Sequence, residues 1–197
     1  MDLEVQNCFH SPLFFIRNKD LLVDLKKYIY KQNVKGIESK CAIFLKENLV
    51  ESKFDFFNND NEIVVKTRTF IAECLAALIN KLHSETCSYR ISFNESWFHI
   101  GKKNSVHEVH QHPNCSWCGI YFIQAGDKNS GKTTFCTPIN TNYMDKGNRY
   151  LDTQMRYRVE PEDGLLILFP SYLQHYQALY KGKKDRIVVA FNVAIHD

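Results

Sequence analysis

The sequence predicts a mostly β, α+β fold with two helices packed outside a β-sandwich or barrel. Three observations carry this. Two apolar stripes of helical period occupy the first 85 or so residues. From Ser88 onward the apolar pattern changes to period two and keeps it to the end of the chain. Turn residues punctuate that second part at short intervals, as in all-β sandwiches and barrels.

Taken in order, residues 9–16 read as a short strand after a turn. Leu21, Leu22, Leu25, Tyr28 and Ile29 then form one helical stripe, with Asn18 as the expected N-cap and Gly36 near the end. Ala42–Leu45 is a short apolar run, and Asn58–Asn61 is a polar loop. Phe70, Ile71, Cys74, Leu75, Leu78, Ile79 and Leu82 keep a helical period for over three turns. Expected strands follow at 88–93, 97–100, 106–112, 117–123, 132–135, 155–159, 165–169, 175–180 and 187–193. Gly101, Pro113-Asn114, Gly126-Asp127, Gly131, Pro161–Gly164 and Gly182 supply the turns. The gap from Cys136 to Gln154 is rich in Asn, Thr, Asp and Gly and reads as a lid or binding loop.

Composition bounds the function. The chain has 197 residues, 44% hydrophobic and 24% charged, with a net charge of +3 and no basic block. That size suits one domain, and that charge gives no reason to expect a nucleic acid or membrane partner. No apolar run is long enough to span a bilayer, and the acidic, polar start does not resemble a signal peptide. The seven scattered cysteines suit reduced thiols, and a cytoplasmic location is expected.

The chemistry concentrates at His107–Gly119, which holds three of the eight histidines within six positions. His110 and His112 stand at i and i+2, on one face of an extended strand, where two imidazoles can share a metal ion. His107, three residues before His110, is expected on the opposite face. A third ligand must come from elsewhere, and His175 follows the buried strand Leu165–Pro170. Eleven residues later, Arg186, Val188, Ala190 and Asn192 share a strand face. An arginine inside a barrel wall needs a partner, and a carboxylate fits its fork. Three imidazoles would leave open metal positions, as in non-haem Fe(II) oxygenases, which normally use two histidines and one carboxylate. Cys115-Ser-Trp-Cys118 offers a rival: a structural zinc clip with the neighbouring histidines.

The order His-x-His-Pro, Gly119–Ile123, Gly164–His175 and Arg186–Asn192 resembles the Fe(II)/2-oxoglutarate-dependent oxygenase superfamily. It looks closest to a small family from bacteria and bacteriophages related to the prolyl hydroxylases. The resemblance implies a double-stranded β-helix (jelly-roll) core over 86–197, with 1–85 as a helical buttress of the same single domain. It implies Fe(II), 2-oxoglutarate and O2. It further implies hydroxylation of an unactivated C–H, with release of succinate and CO2. By this resemblance His110, His112 and His175 are the metal ligands, and Arg186 binds the far carboxylate of 2-oxoglutarate. Tyr121 is expected to add a hydroxyl to that carboxylate, and Asn192 to contact cosubstrate or substrate. The departure is His112, where most of the superfamily has Asp or Glu; a neutral ligand makes the site one unit more positive and fills the room a halide would need. Two alternatives stay open: a non-redox zinc-binding jelly roll, and a three-histidine dioxygenase that does not use 2-oxoglutarate. The analogy to prolyl hydroxylases implies a small-molecule or peptidyl substrate, such as an amino acid side chain. Oligomeric state is not legible.

Overall fold

One strand of 21 residues, β3 (Arg90–His110), ties the fold together. The structure, a computed structural model, describes residues 11–32, 46–83, 88–128, 130–138 and 156–196. In chain order its elements are β1 (Phe14–Arg17), α1 (Leu22–Gln32), β2 (Lys46–Glu51), a 3-10 turn (Phe56–Asn58) and α2 (Glu62–Leu82). Then come β3, β4 (Trp117–Gln124), β5 (Thr133–Cys136), β6 (Arg156–Val159), β7 (Leu165–Pro170), β8 (His175–Gln177) and β9 (Arg186–His196).

The sheet is antiparallel, in the order β1-β7-β4-β9-β3-β8-β5-β6, with β2 on the free edge of β3. Arg90–Gly101 of β3 pairs with β9, whereas His107 and His110 pair with β8. The same strand therefore leaves one layer and enters the other. β2 spans the passage on the opposite edge, pairing with both His99–Gly101 and Val106–His107. Asn104, at φ 66°, turns the backbone in between; its amide donates to the Tyr180 carbonyl. This curled, two-layered arrangement is the double-stranded β-helix that the resemblance implies.

Where separate strands were expected on either side of Gly101, β3 runs straight through. Gly101 stays paired with Arg186 and with Leu49. A Cβ there would lie 2.7 Å from the Ser105 hydroxyl, so the glycine serves close approach rather than a turn.

Both helices lie on the layer formed by β1, β7, β4, β9 and the first half of β3. α1 buries Leu25 and Ile29. α2 buries Val64, Ile71, Leu75 and Leu78; it starts eight residues before Phe70, capped by Asn61, whose side chain accepts from the Ile63 amide. Asn18 does not cap α1, which begins at Leu22; its carboxamide oxygen accepts from the Asp20 amide in the preceding turn. The layer under the helices is buried on both faces. Tyr121, Leu166, Leu168, Val189 and Phe191 face the helices. Cys118, Phe122, Ile167, Phe169 and Val188 face the interior between the layers. Burial on both sides is why β7 and β9 read as unbroken apolar runs. The first 85 residues also supply β1 and β2, so they are more than a helical buttress. Gly36, Ala42–Leu45 and nearly all of the 136–154 loop lie outside the described residues.

Gly119 of β4 illustrates how tightly the helix-facing side is filled. A Cβ there would sit 2.0 Å from Cζ of Phe191, itself wedged against Phe57 and Phe93. Overpacking of a closed core costs about 1–3 kcal/mol, or more where nothing can move. Gly119→Ala is expected to lower unfolding stability by about 3 kcal/mol, read as a lower urea midpoint with unchanged slope. A loss under about 0.5 kcal/mol would show that Phe191 has room to give.

Candidate active site

The interior face of the curled sheet opens into a pocket lined by His99, His107, His110, His112, His175, Gln177 and Arg186 on its polar side. Its non-atom space, open mouth included, is about 460 Å³.

Three histidines converge at one end. The ligand atoms of His110, His112 and His175 all lie within 4.8 Å of one another. His110 ends β3, His175 begins β8, and the two are register partners. His112 lies just beyond β3, where its amide donates to the Ser171 carbonyl. Nδ1 of His110 lies 2.7 Å from the Glu108 carbonyl, and Nδ1 of His175 lies 3.0 Å from the Leu173 carbonyl. A carbonyl only accepts, so both Nδ1 atoms carry the proton and each Nε2 is the ring nitrogen that bears the lone pair. Nε2 of His112 lies 3.3 Å from Nε2 of His175. Two imidazoles on one ion, with bonds of about 2.1 Å at roughly right angles, stand about 3.0–3.3 Å apart. The donor set thus fits a divalent metal, with the ring orientations set by backbone carbonyls.

The walls are apolar. The Trp97 ring stacks on His112 at 5.8 Å, and Phe169 meets His175 edge-on at 4.8 Å. Burial, and then the neighbouring His110 and His112, hold the His175 imidazole well below its ordinary pKa of 6.5. In the metal-free fold it stays neutral, while in the unfolded chain it takes a proton near pH 6.5. The unfolded state then binds more protons, so metal-free stability should fall as pH drops from about 6.5 toward the lower folded-state value. Urea midpoints at pH 7.5 and 5.5 check this: wild type should lose more than His175→Asn, and equal losses would refute it.

At the other end, Arg186 is 2% exposed and has no carboxylate partner among the described residues. Its Nη1 donates to Oε1 of Gln177 at 2.7 Å and its Nη2 to Oγ1 of Thr133 at 3.2 Å. Its Nε is buried with no acceptor. The guanidinium lies over the Phe122 ring, 5.0 Å from the centroid. Burial pushes its pKa down to about 10, so it remains charged at neutral pH. A buried cation held by neutral groups, with one N–H unsatisfied, fits an anionic ligand.

Tyr121 does not belong to this site. It is fully buried on the helix-facing side, packed on Phe70, and its hydroxyl donates to the Asn18 carbonyl at 2.8 Å. Strand alternation turns Ile120 and Phe122 inward and Tyr121 outward. Asn192 shares the inward face but stands six residues along β9, about 20 Å from Arg186 at strand rise. Its amide donates to Glu95 and its carbonyl accepts from the Cys118 thiol.

His107 departs from expectation the other way. Between the pairs His107–Gln177 and His110–His175, β3 has three steps and β8 two. That bulge shifts the phase of β3 by one residue. His107 therefore joins the pocket, stacked on His110 with centroids 3.9 Å apart. Beyond it lies a buried pair, Nε2 of His99 at 2.6 Å from Oε2 of Glu51. Nothing local in the sequence singles out Glu51; its position follows from its register opposite His99. Gln177 was findable, standing two residues after His175 on one strand face.

Cys115 and Cys118 lie 3.7 Å apart as free thiols, the first contacting the His112 carbonyl. Hydrogen bonding from Cys118 lowers the Cys115 thiol pKa, while Cys118 is pushed up. Among the described residues, neither cysteine joins a metal-holding cluster of three or more. The zinc clip therefore has no counterpart here.

Three converging histidines that fit a divalent metal thus face a buried guanidinium across the interior of a jelly roll. The sequence matches the family described as "Putative 2OG-Fe(II) oxygenase" over residues 95–192, the stretch that carries His110, His112, His175 and Arg186. The chain belongs to the Fe(II)/2-oxoglutarate-dependent oxygenase superfamily: it is a 2-oxoglutarate-dependent non-haem iron oxygenase, and its cofactor is Fe(II).

No curated protein matches the sequence. Among solved structures, the fold is similar to HygX from Streptomyces hygroscopicus with nickel, 2-oxoglutarate and hygromycin B bound. That match has a TM-score of 0.64 and 10% identity, covering 93% of this chain and 83% of that one. It is also similar to a Pseudomonas putida prolyl-4-hydroxylase, at TM-score 0.63 and 11% identity, covering 93% of each chain. A third is the viral collagen prolyl hydroxylase of Paramecium Bursaria Chlorella virus-1, at TM-score 0.58 and 12% identity, covering 92% and 94%. Among the described residues no helix is long and apolar enough to cross a membrane.

Proposed function

We propose that this oxygenase hydroxylates an unactivated C–H of a small-molecule or peptidyl substrate, releasing succinate and CO2. His110, His112 and His175 hold the Fe(II), and Arg186 holds the far carboxylate of 2-oxoglutarate. The observation that carries the reading is the pairing within one pocket of the three converging imidazoles with a buried arginine whose Nε lacks an acceptor.

Bound Fe(II), with 2-oxoglutarate and O2, supplies the oxidising chemistry. The chain supplies binding and order. Carbonyl-anchored Nδ1 protons present the Nε2 atoms of His110 and His175 to the metal. Arg186 donates to the diacid and fixes its direction in the pocket. Trp97, Phe169 and Val188 keep the walls apolar and limit water.

The test is succinate formation with Fe(II) and 2-oxoglutarate, with and without candidate amino acid and peptide substrates. Turnover, even uncoupled, is expected in wild type and not in Arg186→Ala. Absence of both turnover and 2-oxoglutarate binding would instead favour a three-histidine dioxygenase whose substrate chelates the metal directly.

A further inference from the structure

Gln177 is buried and lies in the same pocket, yet neither the metal nor the anchor reading uses it. Its carbonyl Oε1 accepts from Nη1 of Arg186 at 2.7 Å. Its Nε2 donates to the carbonyl and the hydroxyl of Ser105, at 3.3 and 3.1 Å. Ser105 is fully buried, and its carbonyl also accepts from the Tyr180 amide. The direction of the amide is not in doubt: Arg186 can only donate, and the Ser105 carbonyl can only accept.

Two features of this chain matter. First, Gln177 is a neutral acceptor. A glutamate would bond the guanidinium more strongly but would cancel its charge. The amide fixes the fork and leaves the positive charge to an incoming anion. Second, β8 carries both Gln177 and His175, two residues apart on one face, about 7 Å along the strand. One rigid three-residue strand thus holds a metal-cluster histidine and the residue that aims Arg186.

We propose that Gln177 is a positioning residue for the cosubstrate: through β8 it holds Arg186 at a set distance from the histidine cluster, and so sets the preference for a 2-oxo diacid. This rests on reading Arg186 as the anchor of the far carboxylate. A 2-oxo monoacid reaches only the histidine end, so it should not sense position 177.

The experiment uses the full chain loaded anaerobically with Fe(II), with 2-oxoglutarate and 2-oxobutyrate as probes. Dissociation constants come from calorimetry and from the visible charge-transfer absorption on binding. Gln177→Leu should weaken 2-oxoglutarate binding about 10- to 100-fold, the scale of a hydrogen bond to a charged group. Gln177→Glu should weaken it further. Neither should move Fe(II) affinity or 2-oxobutyrate binding more than about twofold. In turnover, the KM for 2-oxoglutarate should rise while kcat stays within about threefold. Should Gln177→Leu fold poorly, Ser105→Ala removes one acceptor of the same amide and should weaken the diacid about threefold.

Unchanged diacid binding in these variants overturns the inference, as does an equal loss for diacid and monoacid, which would mark a general structural role. Wild type that binds no 2-oxoglutarate at all would sink the anchor reading itself, a distinguishable result.

Discussion

Arg186→Met is expected to weaken 2-oxoglutarate binding by at least about a hundredfold, while Fe(II) still binds. The guanidinium is the only cation among the described polar residues lining the pocket that carries its charge independently of pH near neutrality. It is buried, held by two neutral acceptors, and has an N–H left over. A carboxylate there gains charge-assisted hydrogen bonds in a site shielded from water, where removing one partner of a buried pair costs about 3–5 kcal/mol.

The effect on folding should be much smaller. Methionine relieves the desolvation of a buried cation but leaves Oε1 of Gln177 and Oγ1 of Thr133 without their donor, at about 1–3 kcal/mol each. These oppose, so metal-free stability should move by no more than about 2 kcal/mol. Calorimetric titration and urea unfolding of one variant read both outcomes. Retained 2-oxoglutarate affinity would remove Arg186 from the anchor role.

The second large effect concerns His112. Its Nε2 faces that of His175 at 3.3 Å, and the Trp97 ring and the Ser171 contact hold it there. His112→Ala should cut Fe(II) affinity at least a hundredfold, more than the 10–100-fold typical of losing a residue that merely supports a ligand. His112→Asp should keep stoichiometric metal, because a carboxylate donor takes the vacated place. That variant makes the centre one unit less positive, so a dianionic cosubstrate should bind it more weakly than wild type. Metal content after anaerobic desalting separates the two. Full metal in His112→Ala would make His112 a bystander, leaving His110 and His175 to hold the ion.

Much of the site was legible in the chain. The i, i+2 pair His110/His112 and the inward parity of Arg186 and Val188 needed only strand alternation. The β core was legible from period two, and both helices from their stripes. What failed did so for a common reason. The resemblance implies a pocket role for Tyr121, and alternation could not correct it, because alternation says which residues share a face, not which face is inside. β4, β7 and β9 are apolar on both faces, so polarity carries no sign of direction there. His107 was placed away from His110 because a one-residue bulge is invisible in a residue pattern but inverts its parity. Glu51 opposite His99 depends on pairing between strands 48 residues apart.

By itself, then, the sequence determined the kind of elements, the spacing of the histidines along the chain and the family to which the chain belongs. These follow from local periodicity and from short ordered motifs, which a linear chain carries in full. Only the tertiary structure decided that Tyr121 turns to the helices, that His107 turns to the metal end, and that Gln177 stands between Arg186 and Ser105. Those outcomes depend on register and on which side of a doubly buried sheet is covered by helices. Both are set by contacts between distant segments rather than by the segments themselves.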